Sequence, residues 1–536
     1  MTGVERNICG NKKANAYAAL ALKCIFVLLP CVYVFLLCWR FDMDVTNLPA
    51  TFNDEFSWYS QVFAVVEHGK PLGYWGYNGT HAATGTYGPW GASSVWFLAL
   101  FIRFLRYIFP FPDFGIYIFN NLMWACTANL VLVLCAKPNI KNTLRFITVY
   151  ILLFVNHTYI FMGMAETMRF SMSTILAGLT IFLWNRQNHR LYRAVLYVIA
   201  PLVIISFMTT YIMYALVLPI WLLAVYKNSP AVHKHKICYF SLSAFFFLAV
   251  TFMVYYINGQ VSSPYVVDEV GDILAAFGQG VSLGIRKAFN HIRVNLNRCT
   301  LRFLWSTRKE SFGWPSVYYF IYYAVGFYLL VSFLTGRKKM NAKDWEFCGI
   351  GVYMMAGYLA AFIVLYNTFT YNLLRGIHIA LVYALFLLCM QSTGTSIKRF
   401  AAIMLLAVYP FLMFLRIDVV KRHKIPEDRV EYQELFAEHI ILDEEKNPWE
   451  NTVAVYGDEQ SESVYLPVGA AVNYMLSWEA NEHARYAICW LYEEGMSLPE
   501  IKEANAVPKE MWETHELLYL GEDMVLMRNK APVLPE

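Results

Sequence analysis

The stretch Asn53-Asp54-Glu55-Phe56-Ser57-Trp58-Tyr59 carries two adjacent carboxylates shortly after the first strongly apolar segment. A carboxylate pair in such a place is either part of a solvated loop or a site for proton chemistry. Farther along, Ala165-Glu166-Thr167-Met168-Arg169 sets a carboxylate and a guanidinium three residues apart, on one face if the stretch turns helically. At a membrane boundary such a pair is a functional group or an ion pair anchoring a helix end. Arg375, in Tyr371-Asn372-Leu373-Leu374-Arg375-Gly376-Ile377-His378, could hold a phosphate bidentately. His378, one turn on, is a proton-handling group or a buried polar contact. Asp268, Glu269 and Asp272 precede a basic stretch that includes Arg286, Lys287 and Arg293. Beside it Ile273, Phe277, Val281, Ile285, Phe289, Ile292 and Leu296 recur at three- and four-residue steps, the mark of a surface helix. Its cations suit a phosphate-bearing substrate or lipid headgroups. The run from Gly73 to Gly91 is rich in Gly and aromatics, which fits sugar stacking or an interfacial aromatic belt.

The elements that must position these groups are set by composition. The 536 residues are 58% hydrophobic and only 15% charged, with mean hydropathy +0.41. That excludes a large soluble enzyme and points to a polytopic membrane protein. Residues 1–417 hold 33 Lys+Arg against 14 Asp+Glu, and residues 418–536 hold 10 against 25. A basic membrane body is thus followed by an acidic tail. Most of the 11 cysteines lie in apolar segments and act as small apolar residues. No paired spacing suggests a metal knuckle or a disulfide framework. Nothing marks a nucleic-acid partner.

A bilayer core takes roughly 20 apolar residues per helix. Spans are expected at about 16–39, 114–136, 146–163, 170–184, 194–208, 210–226, 237–257, 316–334, 347–366, 376–391 and 401–416, some 11 in all, with Thr209-Thr210-Tyr211 as a turn between two. Residues 90–109 are apolar but carry Arg103 and Arg106. If they span, the later basic connections all move to the side opposite the N-terminus. If they lie in the interface, every basic connection shares one side, as the positive-inside rule favours. The expected topology is therefore an α-helical transmembrane domain, 1–417, with a cytoplasmic N-terminus in the plasma (inner) membrane. Outer loops 40–113 and 258–315, the turn at 164–169 and the tail then share the extracytoplasmic face. Phe56, Tyr59, Phe63 and Val66 suggest a short surface helix beside Asp54-Glu55.

In the tail, 418–450 reads as linker and helix. Thr452–Tyr456, Ala484–Leu491 and Leu517–Arg528 read as strand regions, and Asn473–Trp478 and Pro499–Ala506 as helical. Residues 418–536 suffice for a small α/β domain. They carry neither GxGxxG nor a Walker lysine loop.

Taken together, Asp54-Glu55 after the first helix, the aromatic loop ending Tyr87-Gly88-Pro89-Trp90, and Glu166 at the outer end of a later helix pair resemble the GT-C superfamily of membrane glycosyltransferases. The likeness is to families that use polyprenyl-phosphate sugars, of the aminoarabinose-transferase and protein-mannosyltransferase types. It covers the membrane region in layout and rests on short motifs in residues. The WWDYG motif of oligosaccharyltransferases is absent, which argues against sequon glycosylation. The resemblance implies a polyprenyl-phosphate sugar donor in the bilayer and an extracytoplasmic acceptor. Such transfer needs a base for the acceptor hydroxyl and cations for the leaving phosphate. Asp54 is the expected base, with Glu55 second. Glu166 is implied to place the acceptor or a metal. Arg169 and Arg375 are the first candidates for the donor phosphate, followed by Lys70, Arg286 and Arg293. Tyr59, Tyr87, Trp90 and His378 would line the substrate. A divalent cation held by carboxylates fits this chemistry, although metal use varies in the superfamily.

Other functions make different demands. A lipid-linked-sugar transporter or flippase would place ionisable residues near the bilayer midplane, whereas the charge here sits at the outer boundary. A surface-polysaccharide polymerase or ligase has nearly the same sequence signature. A non-catalytic sensor would tolerate Asp54→Asn.

Overall fold

The computed structural model describes residues 3–42, 92–108, 115–153, 165–228, 269–296, 315–365, 370–392, 401–408, 429–442, 452–456, 470–474 and 484–530, with scattered positions among 58–66 and 236–253 and a few single residues. Apolar runs make most of these segments helical. They are α1 (Gly3–Phe41), α2 (Ala92–Leu105), α3 (Gly115–Ala136), α4 (Ile140–Leu152), α5 (Glu166–Asn185), α6 (Tyr192–Thr210, with a π-helical stretch at Val195–Ile199), and α7 (Leu218–Asn228) after a 3-10 turn at Ile212–Val217. Then come α8 (Glu269–Gln279), α9 (Val281–Leu296), α10 (Pro315–Gly336), α11 (Ala342–Leu365) and α12 (Thr370–Cys389). Among the described residues five helices are long and apolar enough to cross a membrane, and five apolar helices are shorter. The protein is a multi-pass helical membrane protein. The expected number of spans, about eleven, is not reached among these residues.

Contacts fix the direction of each helix. Phe26 packs on Phe146 at 5.6 Å and Tyr33 donates to the Ile151 carbonyl, so α1 and α4 run parallel. Asn129 donates to the Phe26 carbonyl and Cys126 sits 3.7 Å from Cys31, so α3 runs antiparallel to α1. The chain between α1 and α3 therefore begins and ends at the same end of the body. Its helix α2, 14 residues long, measures about 21 Å, short of a bilayer core of about 30 Å. Its buried face (Val95, Leu98, Ala99, Ile102) packs on α3 and α6, with Phe101 against Trp124 and Phe97 against Phe207.

The ends of the helices joined by basic connections meet one another. Arg145 at the start of α4 donates to the carbonyls of Cys389 (2.9 Å) and Gln391 (2.8 Å) just after α12. These are backbone acceptors that a helix C-terminus leaves open. The Gln391 amide donates to the Asp344 carbonyl, and the Ser392 amide to the Asp344 carboxylate, both at the start of α11. Lys227 at the end of α7 pairs with Glu346 at 2.6 Å, and Trp184 at the end of α5 donates to the same carboxylate. The starts of α5 and α12 and the end of α11 consequently lie at the opposite end, where α1 stops and α3 begins.

At that opposite end two sequence expectations change. Residues 165–169 are not a turn. Glu166 opens α5 and Arg169 completes its first turn, because the helix continues outward until its polar start is covered by protein. Val66, expected on a surface stripe with Phe56, Tyr59 and Phe63, is instead helical and buried together with Trp58, Val62 and Val65; Phe56, Tyr59 and Phe63 lie outside the described residues.

Helix α5 is central, and α3 lies close beside it. A Cβ on Gly178 would stand 3.1 Å from the Leu132 Cα, the close backbone approach that small residues permit between membrane helices. Gly178→Leu is expected to destabilise the protein by about 1–3 kcal/mol through overpacking. Gly178→Ala should be nearly neutral, as helix propensity offsets the tight contact. Thermal midpoints in detergent test this. Equal midpoints for the two variants would show that the helices can separate freely.

The tail forms a mixed five-stranded sheet in the order β2-β1-β3-β5-β4. The strands are β1 (Thr452–Tyr456), β2 (Ala471–Tyr474), β3 (Tyr486–Trp490), β4 (His515–Leu520) and β5 (Met524–Asn529). β2 and β3 pair parallel to β1, and β5 runs antiparallel between β3 and β4. Strand alternation gives two buried faces. Val453, Val455, Ile488 and Leu526 belong to one apolar cluster with Phe436 and Ile440 around α13 (Arg429–His439). Ala454, Cys489, Val525 and Met527 pack under α14 (Leu498–Ala504) and α15 (Lys509–Thr514), with Ile501 and Met511. The helix expected from Asn473 is corrected: Asn473 and Tyr474 end β2, since parallel pairing with Ala454 and Val455 overrides local propensity.

In β4, burial pushes the His515 imidazole down to about 4. Its unfolded value is roughly 6.5. As pH falls from about 6.5 toward 4, the unfolded tail takes up a proton that the folded one refuses, so sheet stability declines across that window. His515→Gln should remove this slope. Hydrogen-exchange protection factors of residues 486–490 and 524–529 in the full chain, followed over the window, measure it.

Candidate active site

The site lies at the end of the body where α3, α5 and α12 begin and α6 ends. Glu166 is in the first turn of α5, where the helix dipole favours an anion. Arg169 reaches back one turn, Nη1 to Oε1 at 3.4 Å, with side-chain exposures of 10% and 1%. Burying an ion pair this thoroughly costs desolvation that one contact does not offset, so the surroundings matter. The Arg169 guanidinium lies over the Tyr211 ring at 5.4 Å, a cation–π contact. Tyr214 donates its hydroxyl proton to the Arg169 carbonyl at 2.5 Å. These tyrosines come from the break after α6, where Tyr211 is extended (φ −157°). The break is what turns both rings toward α5.

On the other flank α12 runs parallel to α5. Ser173 donates to the Ile379 carbonyl at 2.8 Å, and Thr180 and Tyr383 share a 2.5 Å hydrogen bond. His378 is fully buried, its ring 4.3 Å from Phe170 in an edge-on contact. Arg375 is one turn nearer the start of the same helix, and its side chain lies outside the described residues.

Helix α3 adds polar groups that the sequence reading missed. Asn120 and Asn121 are buried. Asn121 donates to the Ile160 carbonyl at 3.0 Å. Among the described residues the Asn120 carboxamide finds no hydrogen-bond partner at either polar atom, and the Thr167 hydroxyl finds none. α3 and α5 run parallel, and between them Asn129, Thr167, Ser171 and Thr174 line a cavity of about 10 Å³, room for roughly one water. Adjacent carboxamides inside an apolar span were the available signal, since each is costly to bury unmatched. Tyr211 and Tyr214 had no such signal.

Trp58 and Val66, which follow the carboxylate pair in sequence, are tied to this end. Tyr117, in the first turn of α3, donates to the Trp58 carbonyl at 2.9 Å, and Arg106 after α2 donates to the Val66 carbonyl at 3.0 Å. Asp54, Glu55, Tyr59, Lys70, Tyr87 and Trp90 themselves lie outside the described residues. Arg286 and Arg293 are on α9, exposed, against the end of α11. Glu166 and Arg169 are thus brought together, and His378 packs on the neighbouring Phe170. Among the described residues no three His, Cys, Asp or Glu side chains gather as a metal site.

The sequence matches no protein-family profile and no curated protein. Two solved structures align with the chain over most of its length. Archaeal oligosaccharyltransferase AglB from Archaeoglobus fulgidus, in complex with an inhibitory peptide and a dolichol-phosphate, aligns with TM-score 0.46 at 11% identity over 88% of this chain and 69% of its own. ArnT from Cupriavidus metallidurans in the apo state aligns with TM-score 0.38 at 11% identity over 94% and 97%. Such values transfer no residue role.

Proposed function

We propose that the protein is a membrane glycosyltransferase that moves a sugar from a polyprenyl-phosphate donor to an extracytoplasmic acceptor, with inversion at the anomeric carbon. The observation that carries this reading is the buried Glu166–Arg169 pair, at the same end of the body where Tyr117 holds Trp58, four residues after Asp54 in sequence. By the positive-inside rule that end is extracytoplasmic, because the basic connections occupy the other. An ionisable pair kept buried at a membrane boundary is costly unless it is used.

In the proposed step Asp54 takes the proton of an acceptor hydroxyl. The oxygen attacks the anomeric carbon from the face opposite the phosphate, the bond from that carbon to the phosphate oxygen breaks, and polyprenyl phosphate leaves. Arg375 and Arg169 offset the charge that develops on the phosphate. Glu166 holds Arg169 in place and is itself positioned to receive an acceptor hydroxyl. Tyr59, Tyr87 and Trp90 supply stacking faces. If a divalent cation takes part, Asp54, Glu55 and Glu166 are the oxygen ligands the chain offers, and it would supply charge neutralisation.

The test is transfer by the full chain in vesicles containing a labelled polyprenyl-phosphate sugar and a cell-envelope extract as acceptor source. Label is expected to leave the donor fraction only when protein and extract are both present. Label that crosses the bilayer while still attached to its lipid would replace this reading with that of a flippase.

A further inference from the structure

We infer that α8–α9 is a membrane-docking hairpin whose second helix lies in the bilayer surface at the active-site end and grips anionic phospholipid headgroups. The inference is independent of the glycosyltransferase reading. Helix α9, Val281–Leu296, has three distinct faces. Val281, Ile285, Phe289, Ile292 and Leu296 follow three- and four-residue steps and form one stripe. The stripe is turned away from the protein: Phe289 is 68% exposed, Val281 67% and Ile285 57%. Arg286 and Arg293, seven residues apart, share one flank of this stripe and are exposed. His291 and Asn295, four apart, share the other flank.

That second flank sets the level of the helix. Asn295 donates to the Ile363 carbonyl at 3.1 Å, and His291 sits 3.2 Å from the Val364 carbonyl. These carbonyls belong to the last turn of α11, where the membrane span Ala342–Val364 ends. A helix C-terminus leaves its last carbonyls open, and α9 fills two of them. The helix is thus fastened at the boundary of the bilayer. At 16 residues, with Arg286, Lys287 and Arg293, it is too short and too charged to cross. The hairpin closes because Gly284 has no side chain: a Cβ there would meet the Phe277 ring at 2.3 Å.

A helix held at that depth presents its apolar stripe to acyl chains and its arginines to the headgroup layer, the arrangement of an interfacial amphipathic helix. Cations on this face attract anionic lipid, with the energy falling off within a Debye length. A soluble protein partner would need the stripe clear of the bilayer, which the contacts to Ile363 and Val364 oppose.

The test uses the full chain in vesicles of phosphatidylcholine, alone or mixed with phosphatidylglycerol. The photoreactive substitution Phe289→benzoylphenylalanine is expected to form lipid adducts on irradiation, whereas Asn295→benzoylphenylalanine cross-links within the chain. Adducts from position 289 to the chain itself or to a second copy would overturn the docking. In the unsubstituted chain, amide exchange over residues 281–296 is expected to slow several-fold when phosphatidylglycerol is present, and Arg286→Gln/Arg293→Gln should abolish the difference. Equal exchange in both vesicle types would overturn the headgroup assignment.

Discussion

Asp54→Asn is expected to lower sugar transfer by about 10²–10⁴-fold, the usual effect of losing a general base, equivalent to roughly 3–5 kcal/mol of transition-state stabilisation. An acceptor hydroxyl is a poor nucleophile until its proton is taken. The base must reach a donor whose phosphate stays at the membrane surface, so it belongs on a segment held at the boundary. Trp58, four residues after Asp54 in the sequence, meets this condition, because its carbonyl is fixed by Tyr117 and its side chain is buried. Donor binding should survive, since asparagine keeps size and polarity. Glu55→Gln should cost less, by its rank as second base. Single-turnover transfer from preloaded donor separates the step from binding. Unchanged transfer in Asp54→Asn, with Glu55→Gln inactive, would exchange the two roles. Unchanged transfer in both would sink the base assignment.

Arg169→Met is expected to destabilise the protein by about 3–5 kcal/mol, the cost of leaving a buried charge without its ionic partner. The Glu166 carboxylate is 1% exposed and lies 3.4 Å from the guanidinium. Water cannot readily replace that cation. The double variant Glu166→Gln/Arg169→Met should recover much of the loss, because it removes both charges together. Arg169→Lys separates structure from chemistry. It keeps the charge, and so most of the stability, but lacks the planar fork for bidentate phosphate contacts and stacking on Tyr211. Its thermal midpoint should stay near that of the parent while KM for the donor rises. A single variant no less stable than the double would show that the pair is not the source of the cost, and a Lys variant with unaltered KM would remove Arg169 from donor binding.

Much of this organisation was legible in the residues. Apolar runs of membrane length gave the helices, and the clustering of Lys and Arg in short connections anticipated that the ends of α4, α5, α7, α11 and α12 meet at one end of the body. Strand alternation gave β1, β3, β4 and β5. The short Arg-bearing helix within 90–109 was expected from the same charge argument. Local pattern failed where pairing decided the outcome. Asn473 and Tyr474 are a strand because β1 is beside them. Glu166–Arg169 is a helical turn because neighbouring helices cover it.

The sequence by itself determined that the chain is a helical membrane protein with an acidic α/β tail, and that its chemistry-bearing residues cluster near span ends. Only the tertiary structure decided which of them meet. Arg169 touches Tyr211 and Tyr214 from the break after α6, Asn120 and Asn121 arrive from α3, and Trp58 is buried against the body. The reason is physical. In a soluble helix the apolar stripe marks the buried face, but a membrane helix is apolar toward lipid and protein alike. Hydropathy then cannot say which face is covered. That choice is made by close packing, as where Gly178 lets α5 approach α3, and by the few polar side chains that must find partners across helices.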